Sequence, residues 1–243
     1  MLLPSEIQRA LVVTAHPDDV DFGAAGTVAV LTDAGVQVTY CLVTDGDAGG
    51  TDRTMPRPDM AALRRIEQTR AAKAVGVDQL IFLGIGDGRV EANLLLREAI
   101  SRVIRQVRPQ VVLAQSAQRN LDRIYASHPD HLATGEGTIC AVYPDARNPF
   151  AYPHLLADEG LEPWSVDEVW FMEGVTAVGP GVEAIDITTT VERKIEALMC
   201  HQSQHADPAR TATMVHDWTR STAAVFGLPD GSAAEAFRIV NTR

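Results

Sequence analysis

Residues 10–19, which read ALVVTAHPDD, join a short apolar run to a polar cluster. The apolar and β-branched part, 10–15, is typical of a strand buried on both faces of a parallel sheet. Small and apolar residues then recur at helical spacing over 23–34, and residues 36–44 are again rich in strand formers. This succession of strand, loop, helix and strand predicts the beginning of a Rossmann-like α/β fold.

The alternation of strand and helix patterns continues beyond these residues. Such alternation implies right-handed crossovers and a mostly parallel sheet with helices on both faces. No low-complexity linker or internal repeat interrupts it, so we expect a single α/β domain over residues 1–243. The predicted helices are 61–75, 94–107 and 191–201, and the predicted strands are 79–83, 111–114, 164–172 and 182–187.

The composition excludes several classes of protein. With 46% hydrophobic residues in 243, the chain can bury a full core. Its net charge of −11 would repel a phosphate backbone, which argues against a nucleic-acid partner. No apolar run approaches the ~18–20 residues of a membrane span, and no signal sequence is evident, so we expect a cytoplasmic protein. The three cysteines are odd in number and far apart, which favours reduced thiols.

Two short polar clusters carry candidate metal chemistry. One is AHPDD at 15–19, and the other is HPDH at 128–131. Histidine and aspartate are ligands of catalytic zinc sites, which take three protein ligands and leave one position for water. Either cluster alone is also typical of a capped turn. Because loops at the carboxyl ends of parallel strands meet at one edge of the sheet, the two together favour a metal site.

Spacing within each cluster adds to this hypothesis. His16 and Asp19 are three residues apart, so a tight turn can return both side chains to the same side. In the second cluster, Pro129 suits the first position of a helix, which places His128 and His131 three apart near a helix start. Each loop can therefore contribute ligands to one site.

The two clusters in combination resemble the LmbE-like or PIG-L family of zinc-dependent N-deacetylases. Members of this family remove acetyl groups from N-acetylglucosamine-type sugars. The resemblance spans most of the chain and implies a small amino-sugar substrate, one zinc ion and assembly as trimers or hexamers. Further family-like features are TDGDAGG at 44–50, Arg64 with Glu67, LGIGDGR at 83–89, and Lys194 with HQSQ at 201–204.

The resemblance also implies roles for individual residues. In the branch of the family that makes mycothiol, a tyrosine two residues before the first histidine of the second motif helps to hold the oxyanion. Here that position is Ala126, and Tyr125 lies one place further back. The implied zinc ligands are His16, Asp19 and His131, the implied general base is Asp18, the implied stabiliser or proton donor is His128, and Arg64 is implied to contact the substrate.

These residue types suit amide hydrolysis without help from the resemblance. Zinc lowers the pKa of bound water from 15.7 towards about 7, and an aspartate left off the metal, Asp18, can accept the proton. A protonated His128 would place positive charge near the oxygen of the tetrahedral intermediate. The sequence therefore favours a zinc-dependent N-deacetylase.

Two other functions stay open at this stage. A nucleotide-binding or sugar-transferring module would need a phosphate-binding glycine loop, whereas GIGDG at 84–88 lacks the dinucleotide-binding spacing and is typical of a turn. A noncatalytic, metal-stabilised or assembly module would use the same ligands. His201 and His205 lie four apart on a predicted helix and could bind metal, although their context favours His201 at the pocket border and His205 on the surface.

Overall fold

A computed structural model describes residues 1–50, 52–121, 124, 127–174 and 178–243. In these residues seven strands form one sheet. The strands are β1 (Arg9–Thr14), β2 (Gln37–Thr44), β3 (Gln79–Ile85), β4 (Val111–Ala114), β5 (Glu168–Met172), β6 (Val182–Asp186) and β7 (Ala234–Asn241). Their order across the sheet is β3-β2-β1-β4-β5-β7-β6.

The helices agree with the predicted pattern in the first half of the chain and extend it in the second. Helices predicted at 61–75, 94–107 and 191–201 correspond to α3 (Arg57–Ala74), α4 (Leu94–Val107) and α7 (Val191–Met199), whereas α6 (Pro153–Ala157), α8 (Pro208–Val225) and β7 had no counterpart among the predicted elements. The helices are α1 (Asp19–Gly23), α2 (Ala25–Asp33), α3 (Arg57–Ala74), α4 (Leu94–Val107), α5 (Pro129–Cys140), α6 (Pro153–Ala157), α7 (Val191–Met199) and α8 (Pro208–Val225).

The central strand, β1, is buried on both of its faces. Val12 packs in a cluster with Val28 of α2 and Ala72 of α3. Its neighbour Val13 points to the opposite face and packs with Ile100 of α4. Because successive side chains of a strand alternate between faces, helices cover both sides of the sheet. The predicted α/β fold class, with a mostly parallel sheet, is confirmed.

Strand order places a crevice at the centre of the sheet. β1 pairs in parallel with both β2 and β4, so the chain first winds outward through β2 and β3 and later resumes on the other side of β1. Ligands of open α/β sheets bind at this reversal, beyond the carboxyl ends of the strands. β7 runs antiparallel to both of its neighbours, β5 and β6, and β6 forms the far edge of the sheet. Among the described helices, none is long and apolar enough to cross a membrane.

Candidate active site

The loop after β1 turns sharply and brings His16 against Asp19. The His16 backbone N–H donates to Asp19 Oδ2 at 2.7 Å, and His16 Nδ1 lies 3.3 Å from the same oxygen. Asp18, between them, has φ 83°, in the left-handed region that non-glycine residues rarely adopt. This backbone conformation directs the Asp18 and Asp19 side chains to different partners.

The loop after β4 supplies the second group through the first turn of α5. Pro129 is the first helical residue and His128 is the N-cap, whose Nδ1 accepts a hydrogen bond from the Asp130 backbone N–H at 3.2 Å. Residue His131 follows in the first turn. Its Nε2 lies 3.2 Å from His16 Nδ1 and 3.1 Å from Asp19 Oδ1.

These three side chains fit a tetrahedral metal ion. His16 Nδ1 lies 3.2 Å from His131 Nε2, while Asp19 approaches His16 Nδ1 through Oδ2 at 3.3 Å and His131 Nε2 through Oδ1 at 3.1 Å. We call these three side chains the ligand triangle. Zinc bonds of about 2.0–2.2 Å at tetrahedral angles require ligand atoms about 3.3 Å apart. A wider set, His16 with His128 and His131, has ring nitrogens within 4.8 Å of one another. The set containing Asp19 is the closer match. His128 Nδ1 accepts a backbone hydrogen bond, so the neutral ring carries its proton on Nε2 and has no free lone pair for a metal ion.

The other ring nitrogen of His16 faces two carboxylates. His16 Nε2 lies 3.2 Å from Asp130 Oδ2 and 3.2 Å from Asp87 Oδ1. Asp130 is 1% exposed and accepts hydrogen bonds from the backbone N–H groups of Gly88 and Val90. A carboxylate on the outer nitrogen is the usual means of orienting a metal-binding histidine. Burial acts against the charged ring, but hydrogen bonds and charges of Asp19 and Asp87 outweigh it and raise the pKa of His16 to about 10.

Arg64 lies behind Asp18. It is 4% exposed, and its Nη2 donates to Asp18 Oδ2 at 2.9 Å and to the Pro17 carbonyl at 2.5 Å. Its Nη1 donates to the Gly46 carbonyl. Gly46 has φ 64°, and a Cβ there would lie 2.2 Å from Nη1, so a side chain at this position would displace the guanidinium. Burial raises the pKa of Asp18 to about 6, although the Arg64 charge acts in the opposite direction.

A cavity of about 650 Å³ opens beside Asp19 and His131. This volume lies within the ~300–1,000 Å³ typical of small-molecule sites. Its far wall is formed by α8 and β7, and includes Trp218 and Arg238. Phe22 of α1 also lines it. The candidate metal ligands therefore stand at one side of a pocket large enough for a substrate.

Several expectations have a different outcome. The helix predicted to carry His201 and His205 ends at Met199, so neither histidine is helical. His201 is fully buried, with Nε2 2.8 Å from Asp21 Oδ2, and His205 is half-buried, with Nε2 contacting a backbone carbonyl. The substrate contact expected of Arg64 stays a prediction, since the guanidinium has partners within the chain. Residues 125 and 126, discussed for the oxyanion, lie outside the described residues.

Sequence reasoning missed other residues around the site. Asp130 lay inside the second motif, and its position between two histidines was the available signal. Gln68 lies one helical turn after Arg64 and also contacts the Asp18 loop. Its sequence context carries no signal of this contact, because it depends on how α3 packs against α1.

The fold and the site together define a class: α/β proteins with a histidine–aspartate cluster that could hold a metal ion, beside a pocket at the reversal of a mostly parallel sheet. The family model described as PIG-L, GlcNAc-PI de-N-acetylase, matches residues 11–142. The chain belongs to this family. Individual relatives are similar to this chain in sequence and in structure.

The relatives are named as deacetylases. Diacetylchitobiose deacetylase of Thermococcus kodakarensis is 32% identical over 97% of this chain and 84% of its own length. A probable N-acetyl-alpha-D-glucosaminyl L-malate deacetylase 2 of Bacillus anthracis is 29% identical, over 82% of each chain. The solved structure of N,N'-diacetylchitobiose deacetylase from Pyrococcus horikoshii is 28% identical, with a TM-score of 0.85 over 97% of this chain and 85% of that one.

Proposed function

We propose that this protein is a zinc-dependent hydrolase that removes the acetyl group from an N-acetylglucosamine-type sugar or its conjugate. His16, Asp19 and His131 hold the metal in this proposal. The observation that carries it is the mutual contact of these three side chains beside the cavity, with 3.1–3.3 Å between each pair of nearest ligand atoms. Relatives that cover most of the chain and are named as deacetylases support the reaction.

The metal and Asp18 have separate tasks. Zinc at such a site lowers the pKa of a water molecule towards about 7 and polarises the amide carbonyl. Asp18 lies outside the ligand triangle, and Arg64 holds its Oδ2. With its pKa raised to about 6 by burial, Asp18 is mostly ionised at neutral pH. It can therefore accept a proton from the attacking water and return it to the amine as the C–N bond breaks.

His128 acts as a hydrogen-bond donor in this proposal. Its Nδ1 accepts the Asp130 N–H, which leaves the proton of the neutral ring on Nε2. Burial lowers the pKa of His128 below its ordinary value. In the neutral ring the Nε2–H can donate to the developing oxyanion, and the protonated His128 expected from the sequence stays a prediction.

The cavity suits an amino-sugar conjugate. Trp218 is among its lining residues, and so are Arg238 and Glu173, which form an ion pair at 3.0 Å. We propose that the sugar lies between the metal ligands and α8. A cytoplasmic location, assembly as trimers or hexamers, and action of residues 1–243 as one domain stay predictions.

One experiment tests the reaction directly. Zinc-loaded protein is incubated with N-acetylglucosamine, diacetylchitobiose and N-acetylglucosaminyl malate, and both acetate and free amine are measured. We expect equal amounts of acetate and amine from at least one sugar, and none with His131→Ala. Bound zinc without hydrolysis of any N-acetylated sugar would favour the noncatalytic module instead.

A further inference from the structure

Three buried polar side chains form a chain of hydrogen bonds that ends at Asp18. The Asp18 backbone N–H donates to Gln68 Oε1 at 2.8 Å. Gln68 Nε2 donates to Asp21 Oδ2 at 2.9 Å, and His201 Nε2 lies 2.8 Å from the same oxygen. All of Gln68, Asp21 and His201 are 0% exposed. None of these three belongs to the proposed metal ligands or touches the amide in the proposed reaction.

The direction of each hydrogen bond in this chain is determined. A backbone N–H can only donate, so the Gln68 amide must turn its oxygen towards Asp18. Its NH₂ group then faces Asp21, whose carboxylate accepts from both Gln68 and His201. Burial of polar groups is costly unless they are hydrogen-bonded. The atoms that face one another in this chain are paired, whereas Asp21 Oδ1 and His201 Nδ1 are buried without a hydrogen-bond partner among the described residues. His201 therefore fixes Asp21, and Asp21 fixes Gln68.

The end of the chain is a strained residue. Asp18 has φ 83°, a conformation that costs free energy for any residue with a side chain and persists only where its surroundings impose it. Gln68 holds its backbone, and Arg64, one helical turn earlier on α3, holds its carboxylate. Both contacts come from one face of one helix, so they move together relative to the loop after β1.

We propose that Gln68, oriented by Asp21 and His201, is a positioning residue that holds Asp18 in its left-handed conformation and so aims the carboxylate at the water to be deprotonated. This inference rests on the proposed function, in which Asp18 is the base. It adds a buried support that acts through the Asp18 backbone and leaves the metal ligands untouched.

The test compares Gln68→Met, which removes both hydrogen bonds at similar length, with the parent, both loaded with zinc. We expect unchanged zinc content, a kcat lower by ~10- to 10²-fold, as small misplacements of reacting groups produce, and a nearly unchanged KM. Hydrogen exchange of the Asp18 amide, followed by NMR, should quicken relative to the amides of β1. Arg97→Met, which breaks the ion pair between Arg97 of α4 and Asp145, is the control and should change neither kcat nor Asp18 exchange.

A second variant covers the case in which Gln68→Met does not fold. His201→Asn leaves Gln68 in place and removes the far end of the chain, so a smaller change in the same two measurements is expected. Parent-like kcat, or a lower kcat with parent-like Asp18 exchange, would overturn the proposal. If the parent hydrolyses no N-acetylated sugar, the proposed function fails, while the exchange comparison still decides whether Gln68 holds Asp18.

Discussion

Arg64 and Asp18 form a buried ion pair, with Nη2 2.9 Å from Oδ2 and the arginine 4% exposed. The guanidinium also grips the Pro17 carbonyl, so it fixes both the side chain and the start of the turn. A residue so placed affects how the base is aimed more than how the substrate is bound. The ion pair gives Arg64 a role in orienting Asp18, whereas the sequence suggested only a contact with the substrate.

Replacement of Arg64 by methionine should therefore lower kcat more than it raises KM. We expect a fall of about 10- to 10²-fold in kcat, since the carboxylate loses its orientation, with zinc content unchanged. Arg65→Met is the matched control, because Arg65 is exposed and pairs with Asp45. Steady-state kinetics and metal analysis decide the matter. A large rise in KM with kcat unchanged would return Arg64 to the substrate-contact role.

Asp130 and Asp87 compete for the same nitrogen of His16, and we expect Asp130 to matter more for metal binding. Both lie 3.2 Å from Nε2, but Asp130 is held by two backbone N–H groups and is 1% exposed. Asp130→Asn should weaken zinc affinity by about 10- to 100-fold, the usual effect of losing such a carboxylate. Competition with a chelator measures it. A larger loss in Asp87→Asn would reverse the assignment.

Strands and helices with a periodic pattern of apolar residues could be predicted from the sequence. Elements that bury polar side chains were missed. β7 begins Ala-Glu-Ala, and its Glu235 is 5% exposed because it pairs with Lys194 at 2.6 Å. A buried carboxylate hides the pattern of a strand. In α8 the buried face includes Thr219 and Thr222, whose hydroxyls bond to carbonyls of the preceding turn. The helix therefore lacks the apolar stripe that periodicity detects.

The same distinction applies to the candidate site. His16 and His131 stood in short motifs on loops whose meeting point followed from the parallel topology, so their proximity could be predicted. The contact of Gln68 with Asp18 depends instead on the packing of two helices that are far apart in sequence. No local pattern encodes such a contact.

The His201–Asp21 pair gives a pH dependence to stability. Burial opposes a charged imidazole, but the hydrogen bond and charge of Asp21 outweigh it, so the pKa of His201 is raised above 6.5. Because the pKa is raised, the pair gives its full stabilisation at pH values below the pKa of His201 in the unfolded chain, about 6.5. This stabilisation is lost as the pH rises through the pKa of His201 in the folded protein. Urea unfolding of the parent and of His201→Asn should therefore differ more at pH 6 than at pH 9. An equal difference at both would contradict the raised pKa.

The sharpest prediction separates neighbours within each motif. Asp18→Asn should keep zinc and lose most turnover, because the carboxylate that accepts the proton lies off the metal. His128→Ala should also keep zinc and lower kcat. For both variants we expect kcat to fall by about 10²- to 10⁴-fold, as for other general acid–base groups. Asp19→Ala and His131→Ala should lose zinc instead, since each removes one corner of the ligand triangle.

Metal analysis of the four purified variants comes before any kinetics, so that lost activity is not mistaken for lost metal. The two classes differ in one geometric respect: Asp19 and His131 contact each other at 3.1 Å, whereas His128 Nδ1 is bound to a backbone N–H. If His128→Ala lost zinc while His131→Ala retained it, the two histidines would exchange roles. The metal ligands would then be His16, Asp19 and His128, and His131 would take the role proposed here for His128.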